Sequence, residues 1–178
     1  FSGTANGHKV LIIPMEILQT LQTIDTHILD STVQRNSEWI KLTRGLLYYY
    51  GTLELKQLEK MIFHFTGTKL KTWEYLQVIF DSMLYHEGIR HDESGCFAND
   101  RVWDPERVKQ EHQSRESLEY FPFTKKQLLK AGEPGFVERN SCYRQFLNFL
   151  IQNYDIDRDK ADMIVEECVY AIRIGQST

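Results

Sequence analysis

No apolar run in this sequence approaches the roughly 18 to 20 residues that a bilayer-spanning helix requires. The longest, such as Val10 to Ile13, are strand-sized, which predicts a chain that is not membrane-embedded. Cysteine is scarce: Cys96, Cys142 and Cys168 form an odd set without CxxC spacing. That usage suits thiols serving as small apolar packers in a reducing compartment and predicts a cytoplasmic protein. Neither charge dominates. A formal charge of -4 and a pI near 5.9 argue against coating nucleic acid or anionic membrane by bulk electrostatics, so any polyanion site must be small and local. The serine-hydrolase elbow GxSxG, the phosphate loop GxxxxGK and the dinucleotide fingerprint GxGxxG are all missing. The sequence therefore names no catalytic residue and no cofactor. It also lacks an initiator methionine and a basic signal-peptide start at Phe1-Ser2-Gly3, which predicts that the numbered chain begins inside a longer polypeptide.

What is present fits a globular chain of one domain or two small ones: 178 residues, 42% hydrophobic and 26% charged. Helical periodicity dominates. Ile17, Leu21, Ile24 and Ile28 recur at spacings of three and four after Pro14, predicting a short N-terminal helix. A polar stretch from Asp30 to Ser37 reads as a break before a helix carrying Trp39, Leu42, Leu46 and Tyr50, which Gly51 ends in the left-handed conformation. Thr52 then reads as an N-cap. Leu55, Leu58, Met61, Ile62 and Phe65 form the next stripe, stopping at Gly67. Trp73, Leu76, Ile79, Phe80, Met83 and Leu84 form another, stopping near Gly88. Ile89-Arg90-His91 and Cys96-Phe97-Ala98, around the turn-rich Asp92-Glu93-Ser94-Gly95, read as two very short strands.

Past Asp104-Pro105 the sequence turns polar and charged through Arg115, predicting a helix that is mostly solvated or docked by Val108 alone, and a linker between halves. Thr124 and Gln127 have capping-box spacing for a helix of about two turns ending at Gly132. Tyr143, Phe146, Leu147 and Leu150 make a further stripe. Ala161, Ile164, Val165, Cys168, Val169 and Ile172 make the last, closed by Gly175. From these stripes the expected core is Trp39, Leu46, Leu58, Ile62, Trp73, Leu76, Phe80, Phe146, Leu150, Val165 and Val169.

Helix, turn, helix, turn, helix, hairpin is the order of a winged helix-turn-helix, whose third helix would enter a major groove. In that reading Lys69, Lys71 and Gln77, with Arg90 on the wing, meet DNA; Glu74, Asp81 and Glu87 offset them and leave the region near neutral. Tyr48, Tyr49 and Tyr50 point about 100° apart on a helix, so they cannot all face one core. Tyr48 and Tyr49 are therefore candidates to anchor a protein partner. Metal sites are weakly supported. Asp155, Asp157, Asp159 and Glu166 have EF-hand spacing, but Lys160 stands where the turn glycine belongs, and Asp157 also reads as an N-cap. His86, His91 and Cys96 lack a fourth zinc ligand. Cys142, at a helix start, has no base positioned beside it.

The run from Asn36 to Gly51 (NSEWIKLTRGLLYYYG), then Arg115, Tyr120 to Thr124 (YFPFT) and Leu128 to Pro134 (LLKAGEP), resembles a group of uncharacterised Firmicutes proteins. Some of these are labelled as containing a SEC-C motif or a Rho-termination-factor-like N-terminal segment. The resemblance implies a bacterial accessory protein and supplies no activity. The cysteine-rich zinc segment of SEC-C is absent from this chain, so the resemblance implies no zinc.

Together these readings predict a mainly α protein. Residues 1–35 would form an N-terminal helical segment, 36–103 a winged-helix-like three-helix unit with a short β-hairpin, and 104–178 a C-terminal helical unit. The leading function is a non-enzymatic interaction module, regulatory in one form of the reading, with a protein partner. The alternative is a winged-helix DNA-binding transcriptional regulator, and the oligomeric state stays open. A basic exposed third helix would favour the regulator.

Overall fold

The computed structural model describes residues 2–5, 8–11, 13–23, 25–92, 95–115 and 117–173. Phe1, Ile12, Ile24, Glu93, Ser94 and Gly175, used in the reading above, and the side chain of Leu21 lie outside the described residues. The protein is mainly α, with eight helices and two small antiparallel sheets among the described residues. None of these helices is long and apolar enough to cross a membrane. The chain divides into two compact units, 1–37 and 38–178.

In the first unit, β1 (Ser2–Ala5) pairs antiparallel with β2 (His8–Leu11), Ser2 opposite Leu11 and Ala5 opposite His8. Helix α1 (Met15–Thr23) opens on Pro14, whose carbonyl accepts from the backbone N–H groups of Ile17 and Leu18. Helix α2 (Thr26–Tyr50) starts at Asp25, whose carboxylate accepts from the His27 N–H at 2.9 Å. The break expected over Asp30–Ser37 is therefore absent: this stretch is helical throughout. It contains neither proline nor glycine, and polar side chains alone do not stop a helix whose end is already capped upstream.

The second unit builds its core from the rest of α2. Trp39, Leu42, Leu46 and Leu47 are buried against Leu58 and Ile62 of α3 (Leu55–Thr66) and Tyr75 and Ile79 of α4 (Thr72–Met83). Gly51 and Gly67 end α2 and α3 with positive φ, as their position in the sequence requires. Thr52, expected as an N-cap, lies instead in β3 (Thr52–Glu54). The α3 cap is Glu54, whose N–H donates to Gln57 Oε1 at 2.8 Å. The hairpin strands β4 (Arg90–His91) and β5 (Cys96–Ala98) form as expected. They join β3, which periodicity did not reveal, in the order β3-β5-β4. A three-residue strand is too short to show alternation.

Helix α5 (Pro105–Ser114) starts on Asp104, which accepts from the Arg107 N–H, and contributes no fully buried residue. Helix α6 (Lys125–Ala131) has the expected Thr124–Gln127 capping box. Its Leu128 enters the same core as α2. Residues after 104 fall in the compact unit that begins at Glu38. Glycines explain how α6 comes so close. A Cβ on Gly45 would sit 2.0 Å from the Leu128 carbonyl oxygen, and one on Gly132 1.9 Å from that of Lys41. Helices α7 (Ser141–Asn153) and α8 (Arg158–Arg173) form a second cluster around Tyr143, Leu147, Leu150, Ala161 and Val165.

The expected core is partly displaced. Leu76 and Val169 are half-buried and packed against their clusters. Trp73, Phe80 and Phe146 are exposed, and Tyr75, Ile79 and Leu147 are buried in their neighbourhoods. On α4 apolar residues occur all round the helix, so periodicity alone picks out more than one face.

Candidate functional site

At about 100° per residue, Trp73, Gln77, Phe80 and Leu84 fall within about 60° of one another on one side of α4 and the turn that follows it, opposite the buried Tyr75, Ile79 and Ser82. The inward side is held by chemistry as well as shape. The Thr43 hydroxyl donates to the Trp39 carbonyl at 2.8 Å, so its contact with the Tyr75 hydroxyl, also 2.8 Å, must use the tyrosine's proton. Burial pushes the Tyr75 phenol well above its ordinary pKa, which keeps that proton in place. The Trp39 and Tyr75 rings meet edge to face at 6.0 Å.

With the inward side locked, the outward side is apolar and open. Trp73 is 80% exposed and Leu84 77%, with Tyr85 equally open beside it. Phe80 is edge-on to His91 at 5.3 Å and tilted against Phe97 at 6.0 Å, so the patch runs from the helix onto β4.

The four residues expected to meet DNA are placed unevenly. Lys69 and Lys71 are exposed ahead of α4, and Gln77 is exposed among the aromatic and apolar residues of the outer face. Arg90 is turned away: its Nη2 donates to the Val102 carbonyl, and its Nε is buried without a hydrogen-bond partner. A guanidinium with Nη2 on a backbone carbonyl and Nε buried has fewer donors left for phosphate.

Tyr48 and Tyr49, expected to anchor a partner, are half-buried and meet other segments of this chain. The Tyr48 hydroxyl accepts from the Glu138 N–H at 3.0 Å, and its ring meets Phe136 at 5.0 Å. Tyr49 stacks on Phe123 at 3.9 Å and donates to Glu138 at 3.3 Å. Tyr50 donates to the Phe121 carbonyl at 2.6 Å. Their divergent directions on the helix are real, but the segments they meet, 120–123 and 136–138, belong to this chain.

The other constellations disperse. Asp157 caps α8, accepting from the Lys160 N–H at 2.8 Å. Glu166 lies farther along the same helix, 3.9 Å from Arg101. His91 and Cys96 occupy opposite faces of the sheet, since His91 is registered with Phe97, the neighbour of Cys96. No group of three or more His, Cys, Asp or Glu side chains is placed to hold a metal among the described residues. Comparison with protein-family models, curated proteins and solved structures finds no match.

Proposed function

We propose that residues 38–103 form a winged-helix-type unit used for protein contact, with the outer face of α4 as the docking surface for an amphipathic helix of a partner. The element order α2-β3-α3-α4-β4-β5 and the sheet order β3-β5-β4 support the winged-helix reading, β4 and β5 being the wing. The observation that carries the docking role is the apolar outer face of α4, where a DNA-reading helix would present long donors and cations. Trp73 and Leu84 are large side chains of the kind that anchor interfaces, lying one above the other at helical spacing.

The alternative, a DNA-binding regulator, rests on Lys69, Lys71 and Gln77. Lys69 and Lys71 supply two charges for phosphate, and Glu74 and Asp81 lie on the same helix segment. Two assays on one set of variants decide between the readings. Selection from a displayed library of amphipathic helical peptides should yield binders that are lost with Trp73→Ala plus Leu84→Ala and kept with Lys69→Ala plus Lys71→Ala. A gel shift on mixed genomic fragments at low and moderate salt should show no sequence-selective complex. Tight selective DNA binding that the lysine variant abolishes would overturn the docking reading and establish the regulator.

A further inference from the structure

The small sheet of the second unit has two unlike faces. Side chains alternate along each strand, so Leu53, Phe97 and His91 share one face, and Leu53 and Phe97 enter the core. Thr52, Glu54, Cys96, Ala98 and Arg90 share the other. Helix α5 lies against this second face, and its half-buried residues include Val108, Lys109 and His112. Two of its four half-buried residues, Lys109 and His112 beside Pro105 and Val108, are polar, which is not the composition of a helix closing an apolar core. Between the helix, β3 and the segment 118–121 lies a cleft of about 780 Å³, within the range of small-molecule sites.

The floor of this cleft holds one donor without an acceptor, the Thr52 hydroxyl, and a lysine that faces only an exposed carboxylate and a sulfur. Thr52 is only 2% exposed, lines the cleft, and its hydroxyl has no hydrogen-bond partner. A buried orphan hydroxyl is rare enough to call for a reason. The Lys109 ammonium lies against the Cys96 sulfur and 3.8 Å from Glu54. The Cys96 sulfur first, then Glu106 and Glu54, hold its pKa above the ordinary lysine value, so it stays charged at neutral pH.

The side wall is a relay. Gln57 Nε2 donates to the Tyr120 hydroxyl at 3.0 Å, and that hydroxyl faces His112 Nδ1 at 3.3 Å. Burial lowers the His112 pKa and raises that of Tyr120, so the imidazole is neutral and the phenol protonated. In the tautomer where the Tyr120 hydroxyl donates to Nδ1, the imidazole's own proton sits on Nε2, a further donor. Leu118 and Phe121 make an exposed apolar rim beside Tyr120.

We propose that this cleft binds a small carboxylate with an apolar, aromatic-sized body, the carboxylate on Lys109 and Thr52 and the body against Tyr120 and Phe121. The acidic lining residues Glu54 and Glu119 are exposed, and a bound carboxylate would displace Glu54 from beside Lys109. The site shares no residue with the outer face of α4 and stands independently of the docking role.

The test uses the whole chain and benzoate as the probe, followed by calorimetry and by backbone amide NMR. Benzoate should bind saturably at one site and shift amides of 52–54, 109–113 and 118–121. Benzyl alcohol, which keeps the ring and loses the charge, and acetate, which keeps the charge and loses the ring, should each bind at least about tenfold more weakly. Lys109→Met should weaken benzoate by a similar factor. Thr52→Val keeps the side-chain shape and removes only the orphan hydroxyl, so its Tm should match or exceed that of the wild type while benzoate affinity falls severalfold. Should Lys109→Met fail to fold, Thr52→Val decides alone. Absence of saturable benzoate binding, equal binding of benzyl alcohol, or undiminished benzoate binding by Thr52→Val would each overturn the proposal.

Discussion

Leu58 and Trp73 are both large, apolar and helical, yet their surroundings are opposite: Leu58 is fully buried among α2, α3 and α4, and Trp73 faces outward. Truncating Leu58 leaves a cavity that the packed helices cannot collapse into, so Leu58→Ala should cost about 2 to 5 kcal/mol. Trp73→Ala removes few protein contacts and should change stability by no more than about 0.5 kcal/mol. Urea midpoints of the two variants check both numbers, and a core-sized loss for Trp73→Ala would put that side of α4 in the core. Tyr75 tests the same orientation through its hydrogen bond. Because Thr43 already donates to the Trp39 carbonyl, Tyr75→Phe removes one buried bond without stranding the threonine's proton, a loss of about 1 kcal/mol. Periodicity could not reveal this arrangement, since the tyrosine's partner lies 32 residues away in the chain.

Between elements, backbone proximity matters as much as side-chain packing. Glycine inside a helix costs about 1 kcal/mol relative to alanine, so Gly45, within the C-terminal part of α2, needs a compensating role. That role is the crossing with α6, where Gly45 admits the Leu128 carbonyl and Gly132 admits that of Lys41. Gly45→Ala would bring a methyl group 2.0 Å from that carbonyl oxygen. It should destabilise by about 3 kcal/mol or more despite alanine's better helix propensity, and a gain in Tm would show that the crossing can open at no cost.

The pairing of α7 with α8 includes a polar contact at Asp162. It accepts from Arg139 Nη2 at 2.6 Å and from the Tyr143 hydroxyl at 2.8 Å. The Arg139 hydrogen bond, then that of Tyr143, hold its pKa below the ordinary 3.8. A depressed carboxylate stabilises the fold fully above its unfolded pKa and ceases to do so as pH falls through its folded value. The gap in urea midpoint between wild type and Asp162→Asn should therefore be widest near neutral pH and shrink below about pH 4. A gap that widened on acidification would contradict the pairing.

At the scale of the whole molecule, the 38–178 unit holds two separate buried clusters. The larger runs from Trp39 through Phe97 to Leu128; the smaller lies within α7 and α8. Two cores of unequal size allow the smaller to open first. Native-state hydrogen exchange should find a lower opening free energy for amides of 143–150 and 161–169 than for 39–50. Identical values would mean that both clusters open together. The charge balance acts at this scale too. A chain at -4 with few cations near α4 should show no salt-steepened, sequence-independent retention on DNA.

Most helices were legible because each is a local matter: apolar residues at three and four, a cap at Asp104 or Thr124, a left-handed glycine at Gly51 or Gly67. The hairpin of Arg90–His91 and Cys96–Ala98 was legible from its turn. Tertiary structure alone decided what depends on residues distant in sequence. It brought β3 to β5, set α2 against α6 through two glycines, turned Tyr48 and Tyr49 onto Glu138, and chose which apolar side of α4 to bury. Periodicity records that a side chain is apolar and where it lies around its own helix. What it meets is set by the packing of other segments, and so the exposed face of α4 and the cleft beneath α5 emerge only when the whole chain has closed.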